Sequence, residues 1–197
     1  MSSVLRRLKK KYLTITKIFW FGEYAKELGQ GSYLTMGNWI RNPTSEEKEK
    51  FAEYFKDISL CAINLHYPNE ALLRHQAHLK FLKHLSLYGD GWSKDIQPVI
   101  EEILLTNPIK DANICSSVVF GKDFLEKLFD LDSSLNRKRF QIYIDIEALA
   151  AFCEFRPNLQ IEKNNRKVIW QRADGVKISM ARDSSGYAMF EFLNDDI

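Results

Sequence analysis

The chain has 197 residues, 45% of them apolar and 27% charged, with nine Gly and five Pro. Those proportions exclude a disordered, collagenous or fibrous chain and suit one ordinary core. The net charge of +2 hides an asymmetry: Arg6, Arg7, Lys9, Lys10, Lys11 and Lys17 stand among the first 20 residues with no acid, which leaves −4 for the remainder.

No apolar run approaches the roughly 20 residues that a membrane span needs. "YLTITKIFWF" follows the basic cluster, but Thr14, Thr16 and Lys17 interrupt it and no small-residue cleavage pattern comes after. The three cysteines, Cys61, Cys115 and Cys153, are odd in number and far apart, so they read as reduced thiols that pack as small apolar groups. The expectation is a cytoplasmic chain without a membrane span.

In chain order, Val4, Leu5, Leu8, Tyr12, Ile15 and Phe19 recur at helical spacing and predict a helix from near Ser3, although "LTITKI" also alternates as a strand does. "ELGQGSYLTMGNWIRNP" reads as loop with room for one short strand. Thr44 and Glu47 form a capping box, and Phe51, Tyr54, Phe55, Ile58, Cys61, Ala62 and Leu65 then follow steps of three and four. Together they predict an amphipathic helix over 45–65, closed by Pro68.

Asn69 caps a second predicted helix that runs to Tyr88 and stops at Gly89. A third extends from Ser93 to Leu105 with Pro98 in its first turn, and a fourth covers Lys122–Leu131. "ANICSSVVFG", between them, suits a short buried strand. After residue 138 the period drops to two in "FQIYIDI", "LQIEK", "KVIWQR", "VKISMAR" and "YAMFEFL", separated by "NNR", "ADG" and "DSSG". The expectation is therefore α+β: an N-terminal helical region of about four helices (1–135), then a C-terminal antiparallel meander of four to five strands (138–193), within one composite domain over 1–197.

All four histidines lie between residues 66 and 84. On a helix over 69–88, Ala71, His75, His78, Leu82 and Leu85 share one stripe and His84 lies opposite. A hairpin of the two helices brings Cys61 level with His75 near His66, a set of ligand types that zinc accepts. The spacing C-x4-H-x8-H-x2-H matches no zinc pattern, however, so His75 and His78 read as core-facing and no metal is expected.

Other motifs fall short of chemistry. Gly29-x-Gly31 lacks the third glycine of a dinucleotide loop, and Gly121-Lys122 lacks the rest of a phosphate loop. Asp145, Glu147, Glu162 and Lys163 fall in or near strands, as nuclease carboxylates do, but the solvent face of a sheet is their ordinary place. Nothing here calls for a cofactor or names a catalytic residue. The expectation is a non-catalytic protein-binding module, a profile that inhibitors and immunity-type proteins fit. Tyr143, Trp170 and Tyr187 are aromatics of the kind that anchor interfaces, although the core is the more ordinary place for any one of them, and a sheet edge could accept a partner strand. The alternative is a nucleic-acid-binding accessory protein that uses Arg6, Arg7, Lys9, Lys10 and Lys11 against phosphates.

Overall fold

The computed structural model describes residues 12–15, 32–36, 43–131, 139–144, 146–154, 160–164, 167–172, 175–182 and 187–193. The elements run β1 (Tyr12–Ile15), β2 (Ser32–Met36), α1 (Ser45–Tyr54), β3 (Leu60–Leu65), α2 (Glu70–Leu79) and β4 (His84–Gly89). A 3₁₀ turn (Lys94–Ile96) then leads into α3 (Gln97–Thr106), β5 (Asp111–Ser116), β6 (Val119–Phe120), α4 (Lys122–Phe129), β7 (Arg139–Ile144) and α5 (Ile146–Glu154). β8 (Gln160–Asn164), β9 (Lys167–Gln171), β10 (Lys177–Arg182) and β11 (Tyr187–Leu193) close the series.

All these strands belong to one sheet in the order β1-β2-β3-β4-β5-β7-β11-β10-β9-β8, with β6 beside β7. β1 to β5 and β7 are parallel neighbours; β7, β11, β10, β9 and β8 are antiparallel neighbours. This overturns the expected helical region followed by a separate meander. Helices and strands interleave from residue 32 to residue 160 in one mixed sheet. Strand β7 carries "FQIYI" as its alternation predicts, but it pairs with β11 and β5 rather than opening the meander toward β8.

The corrections have local causes. Helix α1 begins at the predicted cap: Thr44 N donates to Glu47 Oε2 at 2.8 Å and Glu47 N to Thr44 Oγ1 at 3.3 Å. It stops at Tyr54, because the carboxamide of buried Gln76 ties down the turn that follows. Gln76 Nε2 donates to Phe55 O and Ile58 O at 3.0 and 2.8 Å, and its Oε1 accepts from Leu60 N at 2.9 Å. The supposed end of the first helix is thus strand β3. Asn69 caps α2 through Leu72 N at 3.2 Å, but Lys80 adopts a left-handed φ of 49° and turns the chain into β4. His84 accordingly stands on a strand. At the N-terminus, Tyr12–Ile15 is a strand, while residues 3–11 of the expected helix lie outside the described residues.

From β2 onward the parallel strands begin at 32, 60, 84, 111 and 139, steps of 28, 24, 27 and 28 residues. A chain that always advances in one direction through right-handed crossovers lays every helix on the same side of the sheet. Neighbouring helices accordingly pack in sequence, α1 on α2, α2 on α3, α3 on α4 and α4 on α5. Between helices and sheet lies the core. Its strand contribution is Ile63, Leu65, Leu85, Leu87, Ala112, Ile114, Phe140, Ile142, Ala188, Phe190, Ile178, Met180 and Trp170, which register across the strands on one face. Phe129 of α4 and Phe152 of α5 meet at 4.4 Å between ring centroids, and Trp170 packs edge-on to both at 5.4 and 6.3 Å. Arg172 donates to Phe129 O and Leu131 O, both at 2.6 Å, fastening the antiparallel half to the end of α4.

Candidate functional site

The winding that puts the helices on one face leaves the other face of the sheet without a helix among the described elements. Strand alternation fills it with polar and aromatic side chains. One row runs Asn64, Ser86, Asn113, Gln141 and Met189 across β3, β4, β5, β7 and β11, in register at each step. A second, toward the strands' C-terminal ends, holds Tyr88 and Cys115; Tyr143 lies on the same face. A third, toward their N-terminal ends, runs His84, Asp111, Arg139 and Glu191. Each of these side chains is half-buried or exposed, which is what one open face requires. At ~4.8 Å per strand the face is about 30 Å wide from β3 to β9.

Contacts hold the side chains of this face in place. Asn113 Nδ2 donates to Tyr88 Oη at 3.2 Å, and the Cys115 thiol donates to Asn113 Oδ1 at 2.9 Å. His66 follows β3 and stacks on Tyr88, 4.9 Å between centroids with 21° between planes. Gly89, with φ +80°, allows this approach, since a Cβ there would meet His66 O at 3.3 Å. Next along the chain, Glu70 accepts from Ser93 N and Ser93 Oγ at 2.8 and 2.9 Å, which ties the loop after β4 to the start of α2. His84 and Asp111 pair directly through Nδ1 and Oδ2. Asn64 Oδ1 is shielded from solvent and accepts no hydrogen bond. A desolvated orphan acceptor costs about 1–3 kcal/mol, and Asn107 Nδ2 and Trp170 Nε1 in the core are without a partner in the same way.

The structure disperses the histidines instead of gathering them. The buried face of α2 is Leu72, Leu73, Gln76 and Ala77; His75 is half-buried and His78 exposed, so their expected place in the core is wrong. Cys61 is buried at the start of β3 and His66 lies past its far end. Among the described residues no three His, Cys, Asp or Glu are placed to hold a metal. Glu147 sits on helix α5 and Glu162 with Lys163 on the outer strand β8, while Asp145 is outside the described residues. Trp170 is fully buried and anchors the core, not an interface. Tyr143 does reach the open face and pairs in register with Tyr187. Arg6, Arg7, Lys9, Lys10 and Lys11 lie outside the described residues.

No described helix is long and apolar enough to cross a membrane. The open face escapes sequence reading because its residues come from five strands, three of which periodicity assigns to helices or to an isolated strand. The available signal is the alternation of "CAINL", "HLSLY" and "ANICS", three short runs with small or polar residues at every second place. Comparison with family models, with curated proteins and with solved structures finds no match in any of the three.

Proposed function

We propose that the chain is a binding protein that recognises a protein partner on the helix-free face of its sheet. The observation that carries this reading is the registered row Asn64, Ser86, Asn113 and Gln141, flanked by Tyr88 and Tyr143. Amides and hydroxyls on a rigid sheet offer directional hydrogen bonds, and tyrosines add large contact area at small entropic cost. An inhibitor of the immunity-protein kind, acting in the cytoplasm where thiols such as Cys61 and Cys115 stay reduced, is the form of this reading that a small module of such composition suits.

The test uses tagged full-length chain purified from its native host. Ser86→Arg with Gln141→Arg places bulk and charge on the open face without touching the core, and Glu49→Arg on exposed α1 serves as the control. The reading expects a specific partner on the wild type and on the control, and none on the double variant. A partner held equally by all three sinks it.

A second reading, a nucleic-acid accessory role, draws on the six cations without an acid in residues 1–20. Neutralising Arg6, Arg7, Lys9, Lys10 and Lys11 should then abolish salt-sensitive retention of nucleic acid; unchanged retention removes the N-terminal segment from that role.

A further inference from the structure

The open face carries a row of charges that reads the same backwards with its signs reversed. His84, Asp111, Arg139 and Glu191 lie side by side on β4, β5, β7 and β11, in register at each step. The row runs cation, anion, cation, anion when His84 is protonated. Asp111 and Arg139 are exposed, and His84 and Glu191 are half-buried. His84 Nδ1 meets one oxygen of Asp111. Arg139 instead directs two N–H groups at the Met189 thioether, 3.3 and 3.2 Å away, although a carboxylate stands on the strand to either side. A thioether is a weak acceptor. Among the described residues neither Arg139 nor Glu191 forms a salt bridge.

A half-turn about an axis that runs along the strands, midway between β5 and β7, lays a second open face over the first. Asp111 then faces Arg139 of the second copy, and Arg139 faces its Asp111. His84 faces Glu191, and Glu191 faces His84. Four charges in a row satisfy such an axis only when the order is antisymmetric, as it is here. The next row obeys the same axis: Asn113 faces Gln141, two carboxamides that each donate and accept, and Ser86 faces Met189. The half-turn keeps the right-handed twist of both sheets, so the two faces stay parallel across the interface. Six strands, β3 to β10, lie evenly about the axis. At ~4.8 Å per strand and ~3.3 Å per residue they present about 29 Å by 20 Å, roughly 600 Å² on each copy. A total of about 1,200 Å² is the lower end of specific interfaces and suits a reversible dimer.

We infer that the open face pairs with a second copy of this chain, Asp111 against Arg139 in both directions. The inference rests on the reading of that face as a binding surface and names its occupant. Its test is sedimentation velocity of the full chain over a concentration series, with circular dichroism to show that each variant is folded. The wild type, and Glu49→Arg on α1, should pass from monomer to dimer. Arg139→Asp sets Asp111 against a carboxylate, and Asp111→Arg sets Arg139 against a guanidinium. Each alone should weaken self-association about tenfold or more. An equimolar mixture of the two variants should form a mixed dimer about as tightly as the wild type forms its own, because both central pairs are then opposite in sign. A wild type that stays monomeric overturns the inference. So do single variants that dimerise as tightly as the wild type, or a mixture that stays monomeric while both variants are folded. Failure of the face itself looks different: a partner retained equally by the wild type and by Ser86→Arg with Gln141→Arg. A monomeric wild type that holds another protein, lost with that double variant, overturns the second copy and leaves the face standing.

Discussion

Between β2 and β7 each strand of the parallel series is linked to the next by a chain segment containing a helix, whereas from β8 to β11 each strand turns directly back along its neighbour. Both halves bury one face of the same sheet: β5, and β7 where the halves meet, read exposed-buried-half-buried-buried-half-buried-buried, whereas in β10 Ser179 is buried as well as Ile178 and Met180. Parallel strands are ordinarily covered on both sides and apolar throughout. Here the one-directional winding keeps the described helices on one side, so parallel strands acquire the two-faced pattern of antiparallel ones. What differs is the core beneath. The parallel half mixes aliphatic residues such as Ile63, Leu85, Ile100 and Ile114 with the ring pairs Phe51–Phe55 and Phe120–Phe124, whereas at the junction with the antiparallel half the rings of Phe129, Phe152 and Trp170 meet as a cluster.

The largest effect is expected at that junction. Trp170→Ala empties the space between α4, α5 and β9 and should cost about 3–5 kcal/mol, read by chemical denaturation. A single transition shifted as a whole would show that the two halves unfold together; a split transition would show that they do not. Trp170→Phe should cost much less, since it also removes a buried indole N–H that has no acceptor.

The parallel half depends instead on one carboxamide. Gln76→Ala strands Leu60 N and the carbonyl of Ile58, and leaves Phe55 O with only its backbone bond from Ile58 N. A loss of about 3 kcal/mol is expected from two unpaired buried groups at ~1–3 kcal/mol each. A cost under that of an ordinary surface change would mean that the turn into β3 holds without it. At the opposite end of α1, Thr44→Ala breaks the capping box and should cost about 1 kcal/mol, readable as a lower denaturation midpoint with unchanged slope.

The same residues explain what the sequence can and cannot disclose. Caps are legible, since Thr44–Glu47 and Asn69 act within four residues of themselves. Periodicity after residue 138 is legible for the positions of the strands, because Asn, Asp and Gly turns separate them. Their pairing is not: that β11 and not β8 lies beside β7 depends on α5 packing at Phe152 against Phe129 and Trp170. Strand β3 is hidden because Cys61, Ala62 and Leu65 continue by chance the three- and four-residue steps of α1, and the device that separates them, Gln76, is 16 residues from Leu60. The 24–28-residue recurrence of strands is hidden as well, since the units share a geometry but no residue motif. With the strands goes the open face, whose row from Asn64 to Gln141 exists only once four segments are set side by side.

The end of α2 gives the smallest prediction and the one with reversed sign. A continuous helix over 69–88 fits the sequence because no glycine or proline stands between Glu70 and Tyr88. The break occurs at Lys80 in the left-handed region, φ 49° and ψ 39°, a conformation that costs an L-residue roughly 1–2 kcal/mol. Glycine adopts it freely but gives up more entropy on folding, about 0.5–1 kcal/mol. Lys80→Gly should therefore stabilise the chain by about 0.5–1 kcal/mol, provided the turn rather than a contact of the lysine sets the geometry, and a thermal melt would move upward. Lys80→Ala, which keeps the strain and removes only the charge, should not share the gain. If both variants lower the midpoint, the ammonium at the end of α2 matters more than the backbone, and the turn into β4 is held by its electrostatics instead.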